Sequence, residues 1–119
     1  MATADDVRRI ALGLPGVEQV GSQYKVGGKL LAWPWRERVH PKRPRLENAD
    51  VLVVRTRDEA EKFELIAEEP ATFFTEPHYD GYAAVLIRLR AISTDRLESI
   101  LTDAWRRQTD APSRRAAGP

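Results

Sequence analysis

The chain has 119 residues, 42% of them hydrophobic, enough for one domain with a buried core and too few for two. Nineteen Lys and Arg against eighteen Asp and Glu leave a formal charge of +1, well short of the strongly basic balance of a dedicated nucleic-acid domain. There is no cysteine, which excludes disulfides, thiol nucleophiles and thiolate metal sites, and no leader-like or bilayer-length apolar run, so a soluble cytoplasmic protein without membrane contact is expected.

Taken in order, Thr3 is placed to cap a first helix with Asp5 and Asp6 in its first turn, where free amides and the macrodipole favour negative charge. Val7, Ile10, Ala11 and Leu14 give it one apolar face, and Gly13, Pro15 and Gly16 end it. Short extended pieces follow at Val17 to Val20 and Gln23 to Val26. Gly27 and Gly28 suit a two-residue turn that needs positive φ at both positions, and Lys29 to Trp35 returns as the second arm of that hairpin. From Trp35 to Asp50, arginines and lysines alternate with Pro34, Pro41 and Pro44. Prolines withhold backbone donors, so the whole stretch is expected to be an exposed loop or a partly mobile one. The unbroken VLVV of Val51 to Arg55 suits a central strand.

A second helix should start at Asp58, with Glu61 at capping-box spacing, and stop before Pro70. The pattern puts Ala60, Phe63, Ile66 and Ala67 on its inner face and leaves Lys62 among the outer glutamates Glu59, Glu61, Glu64, Glu68 and Glu69. Phe73 and Phe74 form a brief apolar run, the segment from Pro77 to Tyr82 turns, and Ala83 to Leu89 is the best strand in the sequence. Val85, Ile87 and Leu89 point one way, and Leu86 and Arg88 the other. Ser93 or Thr94 caps a last helix carrying Leu97, Ile100, Leu101, Ala104 and Trp105 at helical spacing. Residues 1–108 then form a single domain, and 109–119, which lack apolar anchors, are expected to be a disordered tail. Hairpins rather than alternating helices join the strands, which predicts an α+β fold: a mainly antiparallel sheet with three helices packed on it.

Residues able to carry chemistry are few. His40 and His78 lie far apart, and His78 with Asp80 supplies two metal ligands where a zinc site needs three or four, so no metal or other cofactor is expected. The glycines do not link a strand to a helix N-terminus as a phosphate loop does. No serine stands in a nucleophile-elbow context, and the glutamates of the second helix are spaced as a solvated face. The sequence therefore predicts a non-enzymatic protein with no catalytic residues. Its strongest electrostatic feature is Arg36, Arg38, Lys42, Arg43 and Arg45, with His40 among them and Trp33 and Trp35 beside them. Such a mixture can neutralise phosphates and stack on bases, or can be a solvated loop that answers the acidic helix.

The segments LGLPGVEQ, YKVGGKLLAW, FFTEPHYDGYAAVLIRL and LESILTDAWRR, in this order and spacing, resemble the MmcQ/YjbR family over roughly nine tenths of the chain. The resemblance implies a compact α+β domain similar to the secretion-chaperone-like arrangement, and the DNA-binding role with which the family is commonly labelled, but no catalytic residues. This chain departs from the family pattern at the proline after Trp33 and in the unusually basic stretch from Pro41 to Arg45. Two functions are then expected to compete. In the first, DNA or another nucleic acid meets Lys25, Lys29, Trp33, Arg36, Arg38, Lys42, Arg43, His78 and Tyr79, with Trp33 and Tyr79 stacking or wedging. In the second, a half-covered sheet face with Trp33, Trp35 and Phe74 meets a protein partner or a second copy of the chain. A small-ligand pocket near His78 and Tyr79 ranks below both.

Overall fold

A computed structural model describes the backbone of residues 1–117 and the side chains of residues 1–109. Helix α1, Ala4–Leu12, is followed by strands β1, Val17–Val20, β2, Gln23–Val26, β3, Lys29–Glu37, and β4, Leu46–Arg55. Helix α2, Glu59–Glu68, leads to the short strand β5, Phe73–Phe74, a 3-10 turn at Pro77–Tyr79, strand β6, Ala84–Arg88, a second 3-10 turn at Leu89–Ala91, and helix α3, Thr94–Ala117. The strands form one sheet in the order β1-β2-β3-β4-β6-β5, with every neighbouring pair antiparallel. This is the expected α+β architecture with three helices. The expected tail, 109–119, overlaps the end of α3, and residues 118–119 lie outside the described set.

Local chemistry sets the boundaries. Thr3 and Asp6 close a reciprocal capping box at the start of α1. At α2 the Asp58 carboxylate accepts from the Glu61 amide at 2.8 Å, while Glu61 reaches back one residue further, to the amide of Arg57. Ser93, rather than Thr94, caps α3 through the Arg96 amide. Gly27 and Gly28 turn with φ of 60° and 78°, conformations that side chains disfavour.

Two expectations fail here. The stretch from Trp35 to Asp50 is not one loop, because β3 continues to Glu37 and β4 begins at Leu46, leaving only 38–45 as the connection. Pro34 is tolerated inside β3 because the ladder with β4 shifts register between Pro34 and Trp35, where Pro34 opposes Leu52 and Trp35 opposes Asn48. The end of the strand inferred at Val51 is this irregularity. Helix α2 is also turned from its expected orientation. Lys62 is completely buried, Leu65 and Ile66 pack on the core, and Phe63 is 53% exposed, with Ala60 and Ala67 outside as well.

The sheet is covered on both faces. One face joins Tyr24, Leu31, Leu52, Val54, Val85 and Ile87 to Val7, Ile10 and Ala11 of α1 and to Leu97, Leu101 and Ala104 of α3. The other carries a smaller cluster of Trp33, Val51, Val53, Ala84 and Leu86, sealed by Tyr79 from the segment ahead of β6. Alternation along β6 is as expected: Val85, Ile87 and then Leu89 enter the first core, Leu86 the second, and Arg88 lies exposed over the ring of Phe74 at 4.1 Å. Polar contacts fasten α3 across the sheet, as the Trp105 indole donates to the Pro15 carbonyl at 2.8 Å and the Gln108 amide to that of Leu30.

Candidate nucleic-acid interface

The basic residues lie on the far end of the β3 and β4 hairpin. Residues 38–45 hold Arg38, Lys42, Arg43 and Arg45, together with His40, and no carboxylate. Exposure is continuous from Arg38 to Pro44. Two of the arginines brace the loop from within. Arg38 Nη1 donates to the carbonyls of Pro41 and Arg43, both at 3.3 Å, and Arg45 Nη1 to that of Arg36 at 2.9 Å. His40 adds a local clamp, its Nδ1 accepting from the Lys42 amide and its carbonyl from that of Arg43. Among the described residues the side chains of Lys42 and Arg43 have no hydrogen-bond or ion-pair partner. Two free cations and two partly spent ones, on a loop tied by its own hydrogen bonds, make a compact positive tip.

The remaining candidates are not gathered around this tip. Arg36 pairs with Glu47 at 3.7 Å across the hairpin, an exposed contact that offsets its charge without holding it firmly. Lys25 and Lys29 flank the turn at Gly27 and Gly28, at the opposite end of β3, and nine residues of strand separate the two ends by roughly 25 Å. His78 is exposed on the 3-10 turn, its ring edge-to-face with Tyr79 at 5.1 Å. The cations of the loop are not answered by α2; its Glu61 and the Glu69 that follows it pair with Arg107 and Arg96 of α3.

Trp33 and Tyr79 require a correction. The structure brings them together, but inward, with Trp33 Nε1 donating to the Tyr79 hydroxyl at 3.1 Å and each residue only 8% exposed. Buried indole and phenol groups satisfy each other's polar atoms there, so neither ring is presented for stacking or wedging. Of the face expected to remain half open, Trp35 and Phe74 stay partly exposed and pack edge-to-face at 5.7 Å, while Trp33 is closed off.

Lys62, expected on the outer face of α2, is also misplaced by the sequence pattern. From α2 its Nζ donates to the carbonyl of Tyr79 at 2.7 Å and to that of Tyr82 at 3.0 Å, and so bolts the turn that carries Tyr79 onto the domain. A single lysine among five glutamates was the available signal, since it stood apart from the face to which it was assigned. No group of three or more His, Cys, Asp and Glu among the described residues could hold a metal ion. None of the helices among those residues is long and apolar enough to cross a membrane.

Three relatives, uncharacterised proteins of Mycobacterium bovis and of two strains of Mycobacterium tuberculosis, are each 47% identical to this chain over 112 residues, covering 88% of it and 87% of their own length. No solved structure matches it. The YjbR sequence profile matches residues 12–107, from the end of α1 through the part of α3 that packs on the sheet, and with it the six strands and the buried turn. By that match the chain belongs to the YjbR family.

Proposed function

We propose that this protein binds nucleic acid, DNA included, through the basic loop 38–45, without a catalytic step. Lys42 and Arg43 neutralise phosphates, and the unspent donors of Arg38 and Arg45 add to the field. One observation carries the reading: a loop with four cations and no carboxylate, on which Lys42 and Arg43 lack any partner among the described residues. Phosphate contact of this kind is electrostatic and independent of base sequence, which suits a tip without an exposed aromatic. Lys25 and Lys29 are too far away to share a short site, and the rings of Trp33 and Tyr79 take no part. A cytoplasmic location goes with this reading and is compatible with a chain free of cysteine.

Fluorescence anisotropy with labelled duplex and single-stranded oligonucleotides tests this. Four phosphate contacts predict that affinity falls roughly a hundredfold between about 50 and 200 mM salt. The double variant Lys42→Glu, Arg43→Glu should abolish binding at the lower salt, whereas Lys25→Glu should leave it within about threefold, since long-range attraction is screened over such a distance. Absence of binding at low salt, or binding that the double variant retains, overturns the proposal.

A further inference from the structure

A second candidate lies on the helical face of the sheet and is lined by no residue of loop 38–45. Between the start of α1 and strands β2, β3 and β4 there is an open cavity of about 230 Å³. Val7, Pro34, Leu52 and Leu89 give it apolar walls. Tyr24 also lines it and is only 6% exposed, yet its hydroxyl has no hydrogen-bond partner among the described residues. The other deeply buried tyrosine, Tyr79, has its hydroxyl bonded to the Trp33 indole. The hydroxyl is not sealed off from the cavity, so an occupant there would meet a donor that no protein group has taken.

We propose that this cavity binds a small carboxylate with a compact apolar body. The volume, below the roughly 300 Å³ at which drug-sized pockets begin, limits the body to one ring or a short chain. Three features favour an anionic head. The Tyr24 phenol is pushed above its ordinary range by burial, and further by Asp5, against the opposite pull of Arg8, so it stays protonated and able to donate. Arg8 spends only its Nε, on the neutral Gln19 at 3.3 Å, and has no carboxylate partner among the described residues. Ala4 and Asp5 on the rim are the first residues of α1, where the amides are at the positive end of the helix. Against these stand the carboxylates of Asp5 and Glu47, the second of which is already engaged by Arg36 and by the Ser22 hydroxyl. At the Tyr24 and Arg8 wall two donors stand without acceptors, with the unpaired Asp5 carboxylate on the rim opposing them.

Titration of the isotope-labelled full chain with benzoate, benzyl alcohol and benzylamine, followed by amide chemical shifts, keeps the ring constant and varies the head. Benzoate should shift the amides of residues 4–8, 22–24 and 47–52 with a dissociation constant of the order of millimolar, as befits so small a ligand, and the alcohol and the amine should bind about tenfold more weakly. Tyr24→Phe and, separately, Arg8→Gln should each weaken benzoate about tenfold, and the double variant Lys42→Glu, Arg43→Glu should not change it. If Tyr24→Phe loses a dispersed spectrum, the exposed Arg8→Gln decides. Benzoate shifts confined to residues 38–45, an amine that binds as tightly as benzoate, or variants without effect would overturn the proposal.

Discussion

Lys62 shows how a charge can be buried without a counter-ion. Its ammonium exchanges water for two backbone carbonyls, which accept at 2.7 and 3.0 Å, and its methylene stem fills space that an apolar side chain would otherwise take. The carbonyls are satisfied in turn, and they belong to the turn of Tyr79 and Tyr82 that covers the second core. Lys62→Met retains most of the volume and removes both bonds. Hydrogen bonds to charged groups contribute about 1.5–3 kcal/mol, and the variant leaves two carbonyls to find other partners, so it should lose about 3 kcal/mol. For a domain of this size that lowers the thermal midpoint by roughly 10 °C, to be read by circular dichroism. A variant as stable as the parent would mean that the turn is held by its own apolar contacts. Sequence could not show this bond, because the acceptors lie at Tyr79 and Tyr82 and are main-chain atoms, which no side-chain pattern records.

At the scale of the element, what was legible followed from local rules. The caps at Thr3 and Asp58, the glycine pair at 27 and 28 and the alternation of β6 each depend on neighbours a few residues away, and each appears as expected. The orientation of α2 and the length of the β3 and β4 arms depend on tertiary partners. Phe63 in place of Lys62 is the natural choice by hydropathy, and three prolines look like a loop until a register shift absorbs one of them. The same locality limits the candidate site. The loop cations were identifiable as a group, whereas the inward turn of Trp33 toward a residue 46 positions later was not. Caps also make a testable contribution. The Glu61 amide, with the guanidinium of Arg57 beside it, holds the Asp58 carboxyl below its ordinary range. A depressed folded value stabilises above the unfolded range and is lost as pH falls through it. Urea midpoints should hold level from pH 7 to about 5 and decline below about 4. Asp58→Asn keeps an acceptor that cannot ionise, so its midpoint should be slightly lower at pH 7 and its decline in acid shallower; curves that run parallel would remove Asp58 from the acid transition.

For the molecule as a whole, the central strands belong to two cores at once. In β4, Leu52 and Val54 enter the larger core while Val51 and Val53 enter the smaller one, and β6 alternates in the same way. Neither cluster can lose its strands without exposing the other, so the two faces should unfold together despite their unequal size. Tryptophans make this measurable, since Trp33 and Trp35 report on the smaller core and Trp105, bonded to Pro15, on the junction of α1 with α3. In Trp105→Phe the remaining fluorescence comes from the smaller core alone, while far-ultraviolet dichroism still follows the helices on the opposite face. The two denaturation curves of that variant should share one midpoint and one slope. A fluorescence transition at lower denaturant would mean that the cover over Trp33 opens separately, which would return its ring, and that of Tyr79, to the surface and give the nucleic-acid reading the stacking platform that the closed structure withholds.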